Sequence, residues 1–265
     1  MLANFGIGTL AMLWAERTWA ELPRDLAASA QAAILPVGAT EQHGPHMGCG
    51  MDAVLADKLC AAVAARTKVP ALPVLPYGCS LGHSRRWPGT IPVQPATLIA
   101  LVRELGEGAY HSGVRRLFIV NTHVTNAAPL RCGLEHLRAQ HDDLMVALFN
   151  TAQLSPRVRE FHFADAEDWH ANDAETSLML AIAPGMVRSD LIAAADDADR
   201  TKGLVFAHPV NRTSRNGVTG HPSRATAAKG RQWFDWMVED LSALIERGLH
   251  ETPPLDQSYF ETISH

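Results

Sequence analysis

The sequence predicts an α/β fold: a mostly parallel sheet with helices packed on both faces. Two observations carry this. Short apolar runs alternate with longer stretches of helical periodicity through the first 150 residues, the order that a parallel sheet with crossover helices requires. The 265 residues also contain no internal repeat, linker or low-complexity tract, so one domain spanning 1–265 is expected. A chain of this length buries roughly 70–75% of its unfolded surface and needs no staple to form a core.

The elements follow in order. "AAILPVG" (32–38) reads as a buried strand. "DAVLADKLCAAVAARTK" (52–68) reads as a helix, with Val54, Leu55, Leu59 and Val63 near helical spacing. "VPALPVLP" (69–76) is a second strand, placed near an edge by its prolines. The segment 95–113 opens with Pro95 and closes with Gly113, the usual helix asymmetry. "RRLFIVN" (115–121) is the clearest strand, 127–141 a helix and "LMVALFN" (144–150) a fourth strand. A helix over 173–184 is ended by Pro184, and residues 185–222 are irregular. A long closing helix over 222–248 carries an apolar stripe of Phe234, Met237, Val238, Leu241 and Leu244.

Composition excludes several classes. Hydrophobic residues make up 47%, charged residues 19%, and the net charge is −5. With no Lys/Arg stripe, neither nucleic acid nor an anionic membrane is an expected partner. Cys49, Cys60, Cys79 and Cys132 form no CxxC pair and read as free cytosolic thiols, small hydrophobes of the interior. Residues 1–19 have no basic start and are interrupted by Glu16 and Arg17. Neither a signal peptide nor a spanning helix is expected, and the expected compartment is the cytoplasm.

Open α/β sheets bind ligands beyond the carboxyl ends of their strands. After the first strand come Glu41, Gln42 and His43, then Asp52; after the second, His83; after the third, "NTHVTN" with Asn121, His123 and Asn126. A fourth cluster, "EDWHANDAETS", holds Glu167, Asp168, His170, Asp173 and Glu175. Carboxylates and imidazoles converging on one rim point to a divalent metal site, although no HExxH is present. Taken singly, each residue has a plainer reading. His46 could be a loop hydrogen bonder, Asp52 an N-cap and Glu175 a helix-start carboxylate. His111, His136 and His141 could be surface groups, and Trp14, Trp19, Trp233 and Trp236 packing residues.

Five ordered blocks resemble the creatininase (creatinine amidohydrolase) family. They are "LPVGATEQHGPHM…MD", "LPYGCSLGHSRRWPGTI", "RRLFIVNTHVTN", "HANDAETSLMLAIAPGMV" and "GVTGHPSRATAAKG", together running from about residue 31 to 250. The resemblance implies a three-layer α/β/α sandwich with a dinuclear metal centre that hydrolyses amide C–N bonds. Its metal ligands fall on Glu41, His43, Asp52, His123 and Glu175, with Asp52 bridging. The ions would be zinc first, with manganese or iron acceptable to the same O/N donors. His170 falls where the family has a proton-transferring histidine, expected to sit near its natural pKa, with Glu175 beside it in the reaction centre. His83, Thr125, Trp87 and Trp169 are candidate substrate contacts.

There are departures. "NTHVTN" places Thr125 where creatininases proper carry a glutamate ligand, which leaves the fifth ligand to Glu175. "PHMGCGMD" replaces a stiffer segment, and His221 replaces a frequent Asp. The implied substrate is a small-molecule amide, cyclic as for creatininase itself, or else a formamide or peptide as in other branches. An inactive metal-binding subunit is the non-enzyme alternative. Many members are homohexamers, so a homo-oligomer is expected.

Overall fold

The computed structural model describes residues 11–83 and 85–262. Most of the leaderless start expected over 1–19 lies outside these residues. The elements are α1 (Leu22–Ala28), β1 (Ala32–Val37), α2 (Met51–Thr67), α3 (Pro95–His111), β2 (Arg116–Asn121), α4 (Ala127–Gln140), β3 (Met145–Asn150), α5 (Pro156–His162), α6 (Asp173–Ile182), α7 (Val210–Thr213) and α8 (Ala227–His250).

β1, β2 and β3 form a parallel sheet in that order. Its register runs from Ala32 opposite Arg116 to Val37 opposite Asn121, and on to Asn150. Strand side chains alternate between faces. Ala32, Ile34, Phe118 and Val120 pack with Met51 and Leu55 of α2, Leu178 of α6 and Leu241 of α8. Ala33, Leu35, Leu117 and Ile119 pack on the opposite side with Leu98 and Val102 of α3 and Leu130 of α4. The result is the expected three-layer sandwich. Each fully buried Leu or Ile contributes about 1.5–3 kcal/mol of transfer free energy, so both faces hold the sheet firmly.

Residues 69–76 depart from expectation. They form no continuous strand, only isolated parallel bridges, Ala71 with Ile34 and Val37 with Leu75. Pro70, Pro73 and Pro76 lack the N–H groups a ladder needs. The segment still lies along β1, because Leu72 N–H donates to Ile34 O and Leu75 N–H to Pro36 O. The chain therefore leaves β1 for one side and returns on the other at β2. That reversal makes the end of β1 a topological switch point, where such sheets place ligands.

α1 and α5 were not expected, since seven residues are too few to show a helical period. The closing helix starts at Ala227, capped by the Thr226 hydroxyl accepting from Lys229 N–H, after a 3-10 turn over Pro222–Arg224. Cys132 is exposed and Cys49 half-buried rather than interior. Trp19 is 87% exposed and packs into no core. Among the described residues no helix is long and apolar enough to cross a membrane.

Candidate metal centre

Close backbone packing brings the strand ends together. A Cβ on Gly38 would lie 2.6 Å from Ala53 Cα, and one on Gly78 only 2.5 Å from Asn126 Oδ1. Glycine at both positions lets the start of α2 and the segment after residue 75 close onto the end of β1. Asn126 then ties the ends of β1 and β2 to the segment after residue 76: it accepts from Cys79 N–H at 2.8 Å and donates to Gly38 O at 2.9 Å and Asn121 Oδ1 at 3.2 Å. The Thr122 hydroxyl donates to Asp52 O at 2.8 Å, fixing α2 to the end of β2. Glu175 enters from α6, whose cap Asn172 accepts from Glu175 N–H.

Glu41, His43, Asp52, His123 and Glu175 are all buried there. Asp52 Oδ1 lies 3.8 Å from His43 Nε2, and its Oδ2 lies 3.4 Å from His123 Nδ1. Glu41 Oε1 is 3.4 Å from His123 Nδ1, and Glu175 Oε1 is 3.8 Å from His43 Nε2. Donor atoms cluster within reach of one cation in three sets: Glu41/Asp52/His123, His43/Asp52/Glu175 and Glu41/His43/His170.

The tautomers follow from the carbonyls. His43 Nδ1 sits 3.1 Å from Glu41 O and His123 Nε2 2.9 Å from Cys79 O. A carbonyl only accepts, so those nitrogens carry hydrogens and the opposite lone pairs face the carboxylates. His43 Nε2, Asp52 Oδ2 and Glu41 Oε2 are buried without a hydrogen-bond partner. Two bonds of about 2.1 Å meeting at a tetrahedral angle end roughly 3.4 Å apart, close to the spacing seen. Orphaned buried donor atoms at that spacing fit divalent cations better than they fit one another.

Without a cation, protons balance the cluster. Burial would raise Glu41, but His123, His83 and His170 hold it well below the carboxylate range. Burial would lower His43, but Asp52, Glu175 and Glu41 raise it to about 10. Asp52 is pushed up, chiefly by burial.

His170 closes the group from another element. Its backbone pairs with Thr219 in an antiparallel bridge. Its Nε2 lies 2.8 Å from Gln42 O and its Nδ1 3.5 Å from Glu41 Oε1. Ala171, at φ 51°, holds the chain in the left-handed region. Its N–H donates to Glu175 Oε2 at 2.5 Å. Burial, then His43 and His83, push His170 down to about 3. Without a cation the ring is thus held neutral, below the value of a solvated imidazole.

A cleft of about 280 Å³ opens onto the cluster, and His83, Thr125 and Trp169 line it. The Thr125 hydroxyl bonds Cys79 O and sits beside His123 Nε2. Trp87 is not among the lining residues; it is half-buried with the Arg86 guanidinium 5.3 Å from its ring. His46 is a buried packing group, its Nε2 2.8 Å from Thr176 Oγ1. Gln42 had no role in the sequence reading. Its amide nitrogen lies 3.0 Å from His83 Nδ1 and 3.1 Å from Gly217 O. Its place between Glu41 and His43 was the available signal.

Comparison with known proteins agrees with this arrangement. The family described as creatininase, creatinine amidohydrolase, matches residues 15–245. The chain is 32% identical over 234 residues to the mycofactocin precursor peptide peptidase of Mycobacterium tuberculosis, covering 84% of this chain and 87% of that protein. It is 29% identical to the creatinine amidohydrolase of Pseudomonas putida, covering 90% and 96%. A crystal structure of creatininase superposes with a TM-score of 0.80 at 28% identity, covering 91% of this chain and 99% of that one. Creatininase structures described as Zn-Zn type and as Mn superpose at 0.80 and 0.78.

Proposed function

The chain belongs to the creatininase family of carbon–nitrogen bond hydrolases, and we propose that it opens a small cyclic amide at a pair of divalent ions held by Glu41, His43, Asp52, His123 and Glu175. One observation carries this reading: the two oxygens of the buried Asp52 lie 3.8 and 3.4 Å from ring nitrogens of two different histidines, His43 and His123. A carboxylate so placed would be available to two cations at once. Zinc is favoured, with manganese or iron accepted by the same donors, as the Zn-Zn and Mn forms of creatininase support.

Bound there, the ions would polarise the amide carbonyl and lower the pKa of water at neutral pH. The residues of the chain do the rest. The backbone carbonyls of Glu41 and Cys79 fix the two metal-facing histidines in one tautomer. The Gln42 carbonyl does the same for His170, leaving Nδ1 as the free base facing Glu41. His170 takes a proton at Nδ1 and returns it to the departing nitrogen. Trp169, His83 and Thr125 line the cleft and would contact a flat substrate there. In this reading the enzyme is a cytoplasmic homo-oligomer.

A second reading, peptide trimming or deformylation at the same centre, draws support from the mycobacterial peptidase and from Thr125. Elemental analysis of metal per chain, followed by a screen of cyclic amides, formamides and short peptides with and without EDTA, separates the readings. About two ions and EDTA-sensitive opening of a cyclic amide are expected. Turnover of peptides alone would move the assignment to the second branch. Full metal and activity in Glu41→Ala or Asp52→Ala would overturn the site.

A further inference from the structure

The charge of the cleft wall is one-sided. Beyond the buried cluster, Glu167 and Asp168 line the cleft, and no lysine or arginine does. Both side chains are exposed at its mouth, and neither makes an ion pair among the described residues. The carboxylates of Glu41, Asp52 and Glu175 face imidazoles, whereas Glu167 and Asp168 face no positively charged partner among the described residues. Their backbone is held in place: Glu167 N–H donates to Asp199 Oδ2 at 3.0 Å and Asp168 N–H at 3.5 Å. The Asp199 carboxylate thereby adds a third negative group behind them. Burial and then Asp199 raise Asp168, the response of a carboxylate that lacks a positive neighbour.

A second observation points to the same ligand chemistry. Trp169 lines the cleft beside the carboxylates, with Phe163 edge-on to it at 5.8 Å between ring centroids. The Phe163 ring already carries the Arg159 guanidinium at 4.5 Å; the His162 ring lies 5.0 Å from Trp169, and among the described residues no lysine or arginine sits over the indole. Aromatic faces next to unpaired carboxylates attract ammonium and guanidinium groups. The remaining titratable lining groups are His83, His123, His170 and His208.

We propose that Glu167, Asp168 and Trp169 select the substrate, and that the amide this enzyme hydrolyses carries a protonated amine away from its scissile bond. The selection rests on the hydrolase reading above. An anionic substituent, a phosphate or a free carboxylate, is repelled at the mouth of the same cleft.

The test uses the metal-restored full chain and three lactams of one ring size with any substituent on the far side of the ring: 2-piperidone, 5-amino-2-piperidone and 6-oxopiperidine-3-carboxylate. The expected kcat/KM is about tenfold higher for the amine than for the neutral lactam, and lower again for the carboxylate, with the spread shrinking in high salt. In Glu167→Gln/Asp168→Asn the ratio of amine to neutral lactam falls to within about twofold, while metal content stays at the wild-type value. Equal rates on all three lactams, or an unchanged ratio in the double variant, would overturn the selection and leave the hydrolase reading intact. Metal-loaded enzyme that turns over none of the three and no member of the wider amide screen would overturn both.

Discussion

Two clusters of buried polar groups lie in this molecule, and they are built on opposite terms. Asp197 is 6% exposed, and each of its carboxylate oxygens is satisfied. Oδ1 accepts from Arg200 at 2.6 Å; Oδ2 accepts from the Ser214 hydroxyl at 2.9 Å and Arg215 N–H at 2.7 Å. Its backbone pairs with Gly220 in both directions. Asp52 is 1% exposed, yet its Oδ2 has no hydrogen-bond partner, and neither have Glu41 Oε2 and His43 Nε2. Hydrogen bonds and an arginine hold Asp197's pKa down against its burial, while burial pushes Asp52 up. A satisfied buried carboxylate anchors a fold. An orphaned one among imidazoles has the free lone pairs that a divalent cation would need.

The comparison can be broken most sharply at activity. Asp52→Ala is expected to abolish metal retention and lower turnover about a thousandfold or more. Elemental analysis and steady-state rates on the best amide check it, and retained activity would make Asp52 another structural carboxylate. Next comes His170→Asn, expected to keep its metal while losing about 10²–10⁴-fold in kcat, the range of a lost general acid–base group. Loss of metal as well would make His170 a ligand instead.

Stability separates the clusters further. Free zinc at a hundred times its dissociation constant should stabilise the wild type by about 2.7 kcal/mol, and should do nothing for Asp52→Asn. Asp197→Asn should keep the full zinc effect yet start lower by about 2 kcal/mol, since it loses bonds made by a charged acceptor to a partly exposed arginine. Denaturant titrations with and without metal measure both. The smallest effect is in pH. Asp197 has a folded pKa below its unfolded value, so its contribution is present above about pH 4 and fades as pH falls through the lower folded value. The gap between wild type and Asp197→Asn should close in acid. A gap that persists to pH 2 would show that packing, not charge, is what Asp197 supplies.

Much of this was legible beforehand, and the residues show why. β1, β2 and β3 stand where apolar runs put them: β1 and the centre of β2 are buried on both faces, which leaves no polar position in the run, and β3 is half-buried throughout. The residues expected as ligands meet in one place because each follows directly on a strand or begins a helix, where the fold class leaves little freedom. The segment 69–76 was misread because apolarity hid the effect of three prolines on the ladder. α5 was invisible because its seven residues are too short to show a period.

The sequence alone determined the fold class, the family and which side chains gather at the strand ends, since these depend on local pattern and order along the chain. Only the tertiary structure decided how each gathered group is used. The tautomers of His43 and His123 depend on carbonyls of Glu41 and Cys79 that no spacing reveals. His170 is lowered to about 3 by burial and by two histidines distant in sequence. Trp87 lies outside the cleft that Trp169 lines. Burial, lone-pair direction and the sign of a neighbouring charge are properties of a place in space, fixed only once distant segments have packed.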